Sequence, residues 1–584
     1  MLVILHSVVP CYAVSCGSSN STWLPRNLMT SSLYDLYEKT GLFNIKYDQD
    51  CQNFGITAFT SYQQSFGHRC DVSSSGLGAY PLWTGNNRIK IGNNDGRADL
   101  DAYQLGMGNV LVGADGIAST VQLNPTVQTV GTDFMFYYVH EKDEPGFYFS
   151  MHIPVGMMSV NPHMQEIGLA IPDGKVSFTQ ETQDPNSATI EYQFPDYPTP
   201  ESRVKNIIEI LSGGYLDCSR FDGNTLRTIR LRKARFSAYA QKIVGFGDIS
   251  MALGYNFVMR SKGMFGVAPK LTIPTALPPG LDFILEPLLG RAGMWGVGIE
   301  MTGLYHVWDD KDTQRYLDIW AQAEVLHLMQ GRRQSFRCFD LKGCGPGSKY
   351  NLLQNYASIY TTSPVAVQET IEAMVPFVLE PAANVTTLPV ISKIPCEGSI
   401  AVLVDYHHKQ WNGSLGCEFW CRAPEALTIN VGTTINFRLP GLQHYAVIGR
   451  QVSNYRIDNQ LDNVVTGYCQ PDARINKSQD PVVLVGDPLV LPPGVTAPTL
   501  VPDGIKDGRI AINRLPSKFE DSLDLAGAQA NTTYMGKMSA QIGHTWPDRF
   551  YMPSLSLISA VDWTHQDTVT LAQWSVGLKG AINF

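Results

Sequence analysis

Along much of this chain large apolar residues recur at every second position, and small or polar residues stand between them. A period of two puts the two sets on opposite faces of a β-strand. Phe147, Phe149, Met151, Ile153 and Val155 share one face, with Tyr148, Ser150 and His152 opposite. The turn Asp143-Glu144-Pro145-Gly146 joins this strand to residues 134–140, so the pair reads as a hairpin. Tyr103, Leu105, Met107 and Leu111 suggest an earlier strand face. Met251, Leu253, Tyr255, Phe257 and Met259 alternate with Ala252, Gly254, Asn256 and Val258. After a turn at Arg260-Ser261-Lys262-Gly263, Phe265, Val267, Leu271 and Ile273 alternate with Gly266, Ala268, Lys270 and Thr272. Trp295, Val297, Ile299, Met301, Tyr305 and Val307 oppose Gly296, Gly298, Glu300, Thr302 and His306, with Asp309-Asp310-Lys311-Asp312 as the turn. Leu427, Ile429, Val431, Ile435, Phe437 and Leu439 oppose Asn430, Gly432, Thr434, Asn436 and Arg438. Tyr534, Met538, Ala540 and Ile542 oppose Met535, Lys537, Ser539 and Gln541, and Leu555 and Leu557 begin the next rung.

The second face of these strands is small and sparsely charged. In a soluble sandwich the buried face is apolar and the outer face carries many Lys and Glu. Here the pattern fits a closed antiparallel transmembrane β-barrel, with the apolar face on lipid and the polar face on a lumen. Closure removes the sheet edges and pairs every backbone polar group, which lipid requires. The spacing predicts about 14–18 strands of roughly 9–11 residues, with short turns on one side and long loops on the other.

Three stretches interrupt the alternation. Residues 157–243 place Val204, Ile207, Ile208 and Leu211 on a helix face, with Thr199-Pro200 as a start and Gly213-Gly214 as a stop. Residues 343–426 hold a second helical pattern from Ser363-Pro364 through Val367, Ile371, Met374 and Val378. Residues 451–532 are rich in Pro and Asp around Leu491-Pro492-Pro493-Gly494. All three are expected to be long insertions in the barrel, carrying short helices. Residues 20–50 read as mixed.

The last segment shows the alternation most clearly. Trp574, Val576, Leu578, Ile582 and Phe584 share one face, and Gln573, Ser575, Gly577, Lys579, Ala581 and Asn583 the other. Lys579-Gly580-Ala581-Ile582-Asn583-Phe584 resembles the closing strand of bacterial outer-membrane β-barrel (porin-like) proteins. That resemblance implies an assembly signal at Gly580, Ile582 and Phe584, read by the outer-membrane barrel assembly machinery. It also implies residence among outer-membrane lipid in the bacterial cell envelope. Residues 1–13 are apolar and short, as in a secretory signal peptide cleaved after Ala13. Ala13-Val14-Ser15-Cys16 also looks loosely like a lipoprotein box, which leaves cleavage or lipidation at Cys16 open. The barrel would then occupy residues 14–584.

Composition agrees with this reading. Charged residues make up 17% of the 584, below the roughly 25% of soluble domains. No apolar run approaches the roughly 18 residues of a membrane helix. A net charge of -9 argues against a nucleic-acid partner.

The chain has eleven Cys, ten of them beyond the leader, and most lie in the inserted stretches. An exported protein favours disulfides, and Cys338 with Cys344, or Cys417 with Cys421, are candidate pairs. The number of cysteines resembles that of the cysteine-rich major outer-membrane proteins of chlamydia-like intracellular bacteria. His407, His408, Cys417 and Cys421 make a zinc site conceivable, but the spacing fits no usual finger, and no metal or cofactor is assigned. Gly343-Cys344-Gly345-Pro346-Gly347-Ser348-Lys349 departs from a phosphate loop at Ser348 and Pro346 and reads as a turn. Five glycosylation-type sequons, such as Asn384-Val385-Thr386, are short enough to arise by chance.

No catalytic set is visible, so the chain is not read as an enzyme. Asn256, Lys270, Glu300, Thr302, His306, Arg438 and Lys579 are the candidate pore-lining residues; the duller alternative is a buried polar network that plugs a narrow barrel. The leading expectation is a porin-like channel for passive diffusion of small polar solutes, with the oligomeric state, a homo-oligomer included, left open. The alternatives are a structural or adhesive surface barrel acting through disulfide-rich loops, and a soluble secreted β-rich surface or capsid protein.

Overall fold

A computed structural model describes residues 24, 26–40, 54–66, 84, 87–92, 99–101, 105, 118–140, 144–167, 207–214, 218–219, 225–260, 262–310, 313–331, 335–342, 345–355, 378–430, 445–447, 482–485, 505–506, 509–513, 522–546, 549, 551–564 and 572–583. Twelve strands close into one antiparallel barrel. They are β1 (Phe54–Ser65), β2 (Thr126–Val139), β3 (Gly146–Asn161), β4 (Ile249–Arg260), β5 (Gly263–Ile273), β6 (Met294–Asp310), β7 (Arg315–Gln330), β8 (Thr387–His408), β9 (Trp411–Arg422), β10 (Thr533–Thr545), β11 (Ser554–Thr564) and β12 (Gln573–Asn583). Each pairs with the next in chain order, and β1 pairs with both β2 and β12, which shuts the ring. Residues Gln241–Phe246 continue the line of β4 along the second half of β3, across a break at Gly247-Asp248.

The alternation sets which side chains meet which solvent. In β12 Val576 and Leu578 point outward, 42% and 54% exposed, while Ser575, Gly577, Lys579, Ala581 and Asn583 point inward and are buried. Phe147, Leu253, Phe265, Ile299, Val325, Leu415, Met538 and Leu557 continue the outer band around the ring. Trp295 faces outward as well. A soluble sandwich would bury these residues, so the closed ring with an apolar exterior rules that alternative out. Among the described residues no helix is long and apolar enough to cross a membrane.

The first strand begins and the last strand ends at one rim, where the short turns after β4, β6 and β8 also lie. The long connections gather at the other rim. There β8 runs past the ring: its first residues pair with Ser335–Cys338 on one side and Ala426–Ile429 on the other. This three-stranded extension covers a second apolar core of Phe339, Leu341, Val385, Leu388, Val390 and Leu427. Arg337 and Glu425 pair at 2.6 Å with both side chains fully buried beside it.

Several expectations change. The ring has twelve strands instead of 14–18, because the strands reach 17 and 22 residues and long connections absorb the rest of the chain. The stretch 343–426 is only partly an insertion, since β8 and β9 lie within it. Leu427 belongs to the dry extension, not to a lipid-facing strand, and Val431 to Leu439 lie outside the described residues. Val378 is on a short strand, Val378–Pro381; the helical pattern preceding it lies outside the described residues. The helix expected near 204–211 is present as Ile207–Leu211, followed by Gly213 at φ 95°, the left-handed stop that glycine permits. Of the early strand face only Leu105 is described, in a turn. A bulge between Asn256 and Val258 turns Met259 inward, and β6 runs to Asp310, past the expected start of its turn.

Candidate functional site

The lumen holds part of the chain itself. Residues 26–31 and a helix, α1 (Ser32–Thr40), lie inside the ring, and every residue of α1 is buried. The helix starts where the Ser31 carbonyl accepts from Asp35 N–H at 2.9 Å. Asp35 in the first turn and Lys39 in the last oppose the helix dipole and pair with each other at i, i+4.

The wall is shaped to receive this segment. Gly131 and Gly156 face each other across β2 and β3, and a Cβ on either would meet Leu28 or Met29 within about 3 Å. A Cβ on Gly416 would stand 2.4 Å from Leu33 Cδ1. Real Cβ atoms do not approach so closely, so larger residues at these positions would push the segment off the wall.

Polar contacts fix it further. Lys39 Nζ donates to Glu300 Oε1 at 2.6 Å, Asp35 Oδ2 at 3.1 Å, Gln322 Oε1 at 3.2 Å and Thr302 Oγ1 at 3.3 Å. Lys270 bridges Glu300 at 2.9 Å and Glu324 at 2.6 Å. Glu418 accepts from Arg26 at 2.5 Å, from Ser32 N–H at 3.1 Å and from the Ser31 hydroxyl. Tyr34 and Tyr37 hydroxyls meet Ser575 and Ser539 at 2.8 and 2.7 Å, and Lys537 stands 3.9 Å over the Tyr34 ring. Lys579 Nζ donates to the Tyr37 carbonyl at 2.6 Å. At the rim of long connections, Leu28 N–H donates to Leu289 O at 3.0 Å, and Arg291 pairs with Glu397 at 2.7 Å.

Six of the seven candidate pore-lining residues are described, and all six point inward. Lys270, Glu300, Thr302 and Lys579 hold one another or α1. Asn256 is buried against Gly266 and the Tyr148 side. His306 Nδ1 lies 2.5 Å from Asp318 Oδ1, nearer the short-turn rim. Arg438 and Phe584 lie outside the described residues; Gly580 and Ile582 sit on β12. The cavities left along the plug are small, about 70 Å³ beside Lys537 and Asp562 and about 20 Å³ beside Asp35 and Lys270. At roughly 10–15 Å³ each, about one to five water molecules fit such volumes. Among the described residues, α1 and its wall partners occupy the lumen beside these cavities.

The cysteine expectations fare differently. Cys417 and Cys421 are free thiols on the outer side of β9, four residues apart on one strand, too distant to bridge. Cys338 is a buried thiol 4.0 Å from Thr386 Oγ1, and Cys344 lies outside the described residues. The conceivable zinc set is divided by the wall: His407 points inward to Asp405 at 2.6 Å, and Cys417 points outward.

Sequence reasoning missed α1 and with it Asp35, Lys39 and Glu418. The available signal was the i, i+4 pair Asp35 and Lys39 beside Leu33, Leu36 and Tyr37, on a helix of only nine residues.

No protein-family model and no curated protein matches this chain. Solved structures similar to it are membrane barrels. An outer membrane channel from Pseudomonas putida F1 aligns over 92% of this chain and 98% of its own, at 7% identity and TM-score 0.33. A Pseudomonas aeruginosa FadL homologue aligns over 96% and 98%, at 8% identity and TM-score 0.26. The TodX monoaromatic hydrocarbon channel aligns over 98% and 99%, at 8% identity and TM-score 0.27. Likeness this distant adds nothing to the closure and surface described above.

Proposed function

We propose that this chain is a channel of the bacterial outer membrane, shut at rest by its own N-terminal segment and conducting small polar solutes when that segment leaves the wall. The observation that carries the reading is α1 inside the ring, held by Lys39 to Glu300 and by Glu418 to Arg26 and Ser32. A barrel serving only as a scaffold could fill its centre with apolar side chains, as narrow protein cores do. This lumen instead carries Lys270, Glu300, Glu324, Glu418, Lys537 and Asp562, which become water-facing groups once the plug departs. Charges of both signs along such a path suit small polar or zwitterionic solutes. Passive diffusion of small polar solutes, the leading expectation, would then depend on the plug leaving the wall.

Single-channel recording in planar bilayers tests the proposal. The intact chain should be mostly silent, and Glu300→Gln should raise open probability at least tenfold. Folding of both proteins is checked by heat-modifiable gel migration. A folded variant that stays silent, even with residues 24–40 deleted, would leave a structural barrel as the better reading.

A further inference from the structure

One group of buried side chains keeps bonding capacity that the contacts seating the plug leave unused, with only Asp35 Oδ2 engaged by them. Asp35 and Glu38 lie at i, i+3 on α1 and face His152 on β3, with Asp133 of β2 behind the ring. One oxygen from each plug carboxylate and one His152 nitrogen lie within 4.8 Å of one another. His152 Nδ1 stands 2.7 Å from Asp133 Oδ2. A carboxylate only accepts, so in the neutral ring this nitrogen carries the proton and Nε2 keeps its lone pair. Nε2 is 3.4 Å from Asp35 Oδ1. Glu38 Oε2 is 3.4 Å from Nδ1, on the edge that Asp133 also faces, so its carboxylate would swing toward Nε2 to share an ion with Asp35.

The second observation is unmet bonding capacity. Glu38 is 1% exposed, yet among the described residues neither of its oxygens accepts a hydrogen bond. Asp35 Oδ1 and Asp133 Oδ1 accept none either. A buried carboxylate without a donor is costly, and native proteins rarely leave one so. Nearby cations are committed: Lys39 and Lys270 also serve Glu300 and Glu324. Among the described residues Asp35, Glu38 and Asp133 crowd one imidazole; Lys579 acts on Glu38 without a hydrogen bond to it, and Arg26 and Arg291 act on Glu324.

We propose that Asp35, Glu38 and His152 bind a divalent transition cation of the zinc or manganese class, with Asp133 orienting the imidazole from behind. Two carboxylates and one imidazole form a hard-to-borderline donor set, and a carboxylate on the distal ring nitrogen is the usual support of a metal-bound histidine. The ion would cross-link plug to wall, since two ligands come from α1 and one from β3. The inference rests on α1 lying in the lumen and not on the barrel conducting, so its test reads metal and not current.

The purified full chain is stripped with a chelator, exchanged into chelex-treated buffer and titrated with Zn²⁺ and with Mn²⁺ by calorimetry. The expected result is one equivalent of tight binding, weakened by Glu38→Gln and by His152→Ala at least tenfold each. Loss at the supporting residue, Asp133→Asn, should be roughly 10-fold. X-ray absorption of the zinc-loaded native chain covers the case in which a variant fails to fold; it should show one imidazole among oxygen donors and no sulfur. Absence of stoichiometric binding, binding indifferent to Glu38→Gln and His152→Ala, or sulfur in the metal shell would each overturn the site.

Discussion

Lys39 and Glu300 meet at 2.6 Å in the centre of the ring, one on the helix that precedes the first barrel strand and the other on β6. Both side chains are 1% exposed, so neither charge has water to fall back on. Breaking a buried pair costs about 3–5 kcal/mol when the remaining charge is left alone, and less here because Glu300 keeps Lys270 at 2.9 Å. Here the cost can be relieved without unfolding the barrel, by letting α1 leave. Lys39→Met is therefore expected to lower the plug's hold while the ring survives. Amide exchange in residues 32–40 should accelerate by orders of magnitude, with β6 and β7 unchanged; equal acceleration in the strands would mean that the pair holds the ring and not the plug.

The glycine notches make a prediction free of any charge change. Gly416→Leu places bulk where Leu33 now lies, and overpacking typically costs about 1–3 kcal/mol. The substitution should release α1 much as Lys39→Met does. Cysteine cross-linking between a residue of α1 and one of β9 would report it, as a loss of the cross-linked band. A band of native intensity would show that the notch tolerates bulk and does not seat the plug.

The outer band predicts where charge is intolerable. Leu578 is 54% exposed in the middle of β12. Arginine there should cost about 2–4 kcal/mol in bilayer, falling toward zero near the interfaces. Denaturant titration of liposome-folded protein measures it. A Leu578→Arg variant of native stability would mean that this face meets water.

Alternation served well for outward and inward faces because lipid and lumen impose opposite demands on adjacent residues. Phe147 to Val155, Phe265 to Ile273 and Trp574 to Ile582 all sort as their spacing implies. It served poorly where both faces of a strand are dry. Val390 and Leu427 obey the same period in the extension, so period alone misplaced Leu427 on the lipid side. The plug escaped for another reason. Its nine residues carry no long periodic stripe, and its worth depends on partners such as Glu300 and Glu418, hundreds of positions away. Lys270, Glu300, Thr302 and Lys579 could be placed inward from spacing, but spacing has no means of saying that they grip a helix instead of lining a passage.

The extension beyond the ring carries a chemical prediction of its own. Burial pushes the Cys338 thiol above its ordinary range, because the thiolate would lose its hydration there. The raised value means less thiolate at any given pH, so alkylation of Cys338 should be slow at pH 8 and should speed up only on unfolding. A maleimide time course with mass-spectrometric mapping of the Cys338 peptide checks it. Labelling as fast as in denaturant would place the residue in water.

Because α1 stands immediately upstream of the strand that joins β12, the order of assembly is constrained. Arg26, Asp35, Glu38 and Lys39 cannot pass through acyl chains, so they enter before β1 zips against its last neighbour or afterwards through a rim. A seam that shuts on a loaded cylinder traps the segment at once, whereas an empty one has to admit it from an end. Variants that loosen the cargo should mature slowly, stalling as open, protease-sensitive sheets.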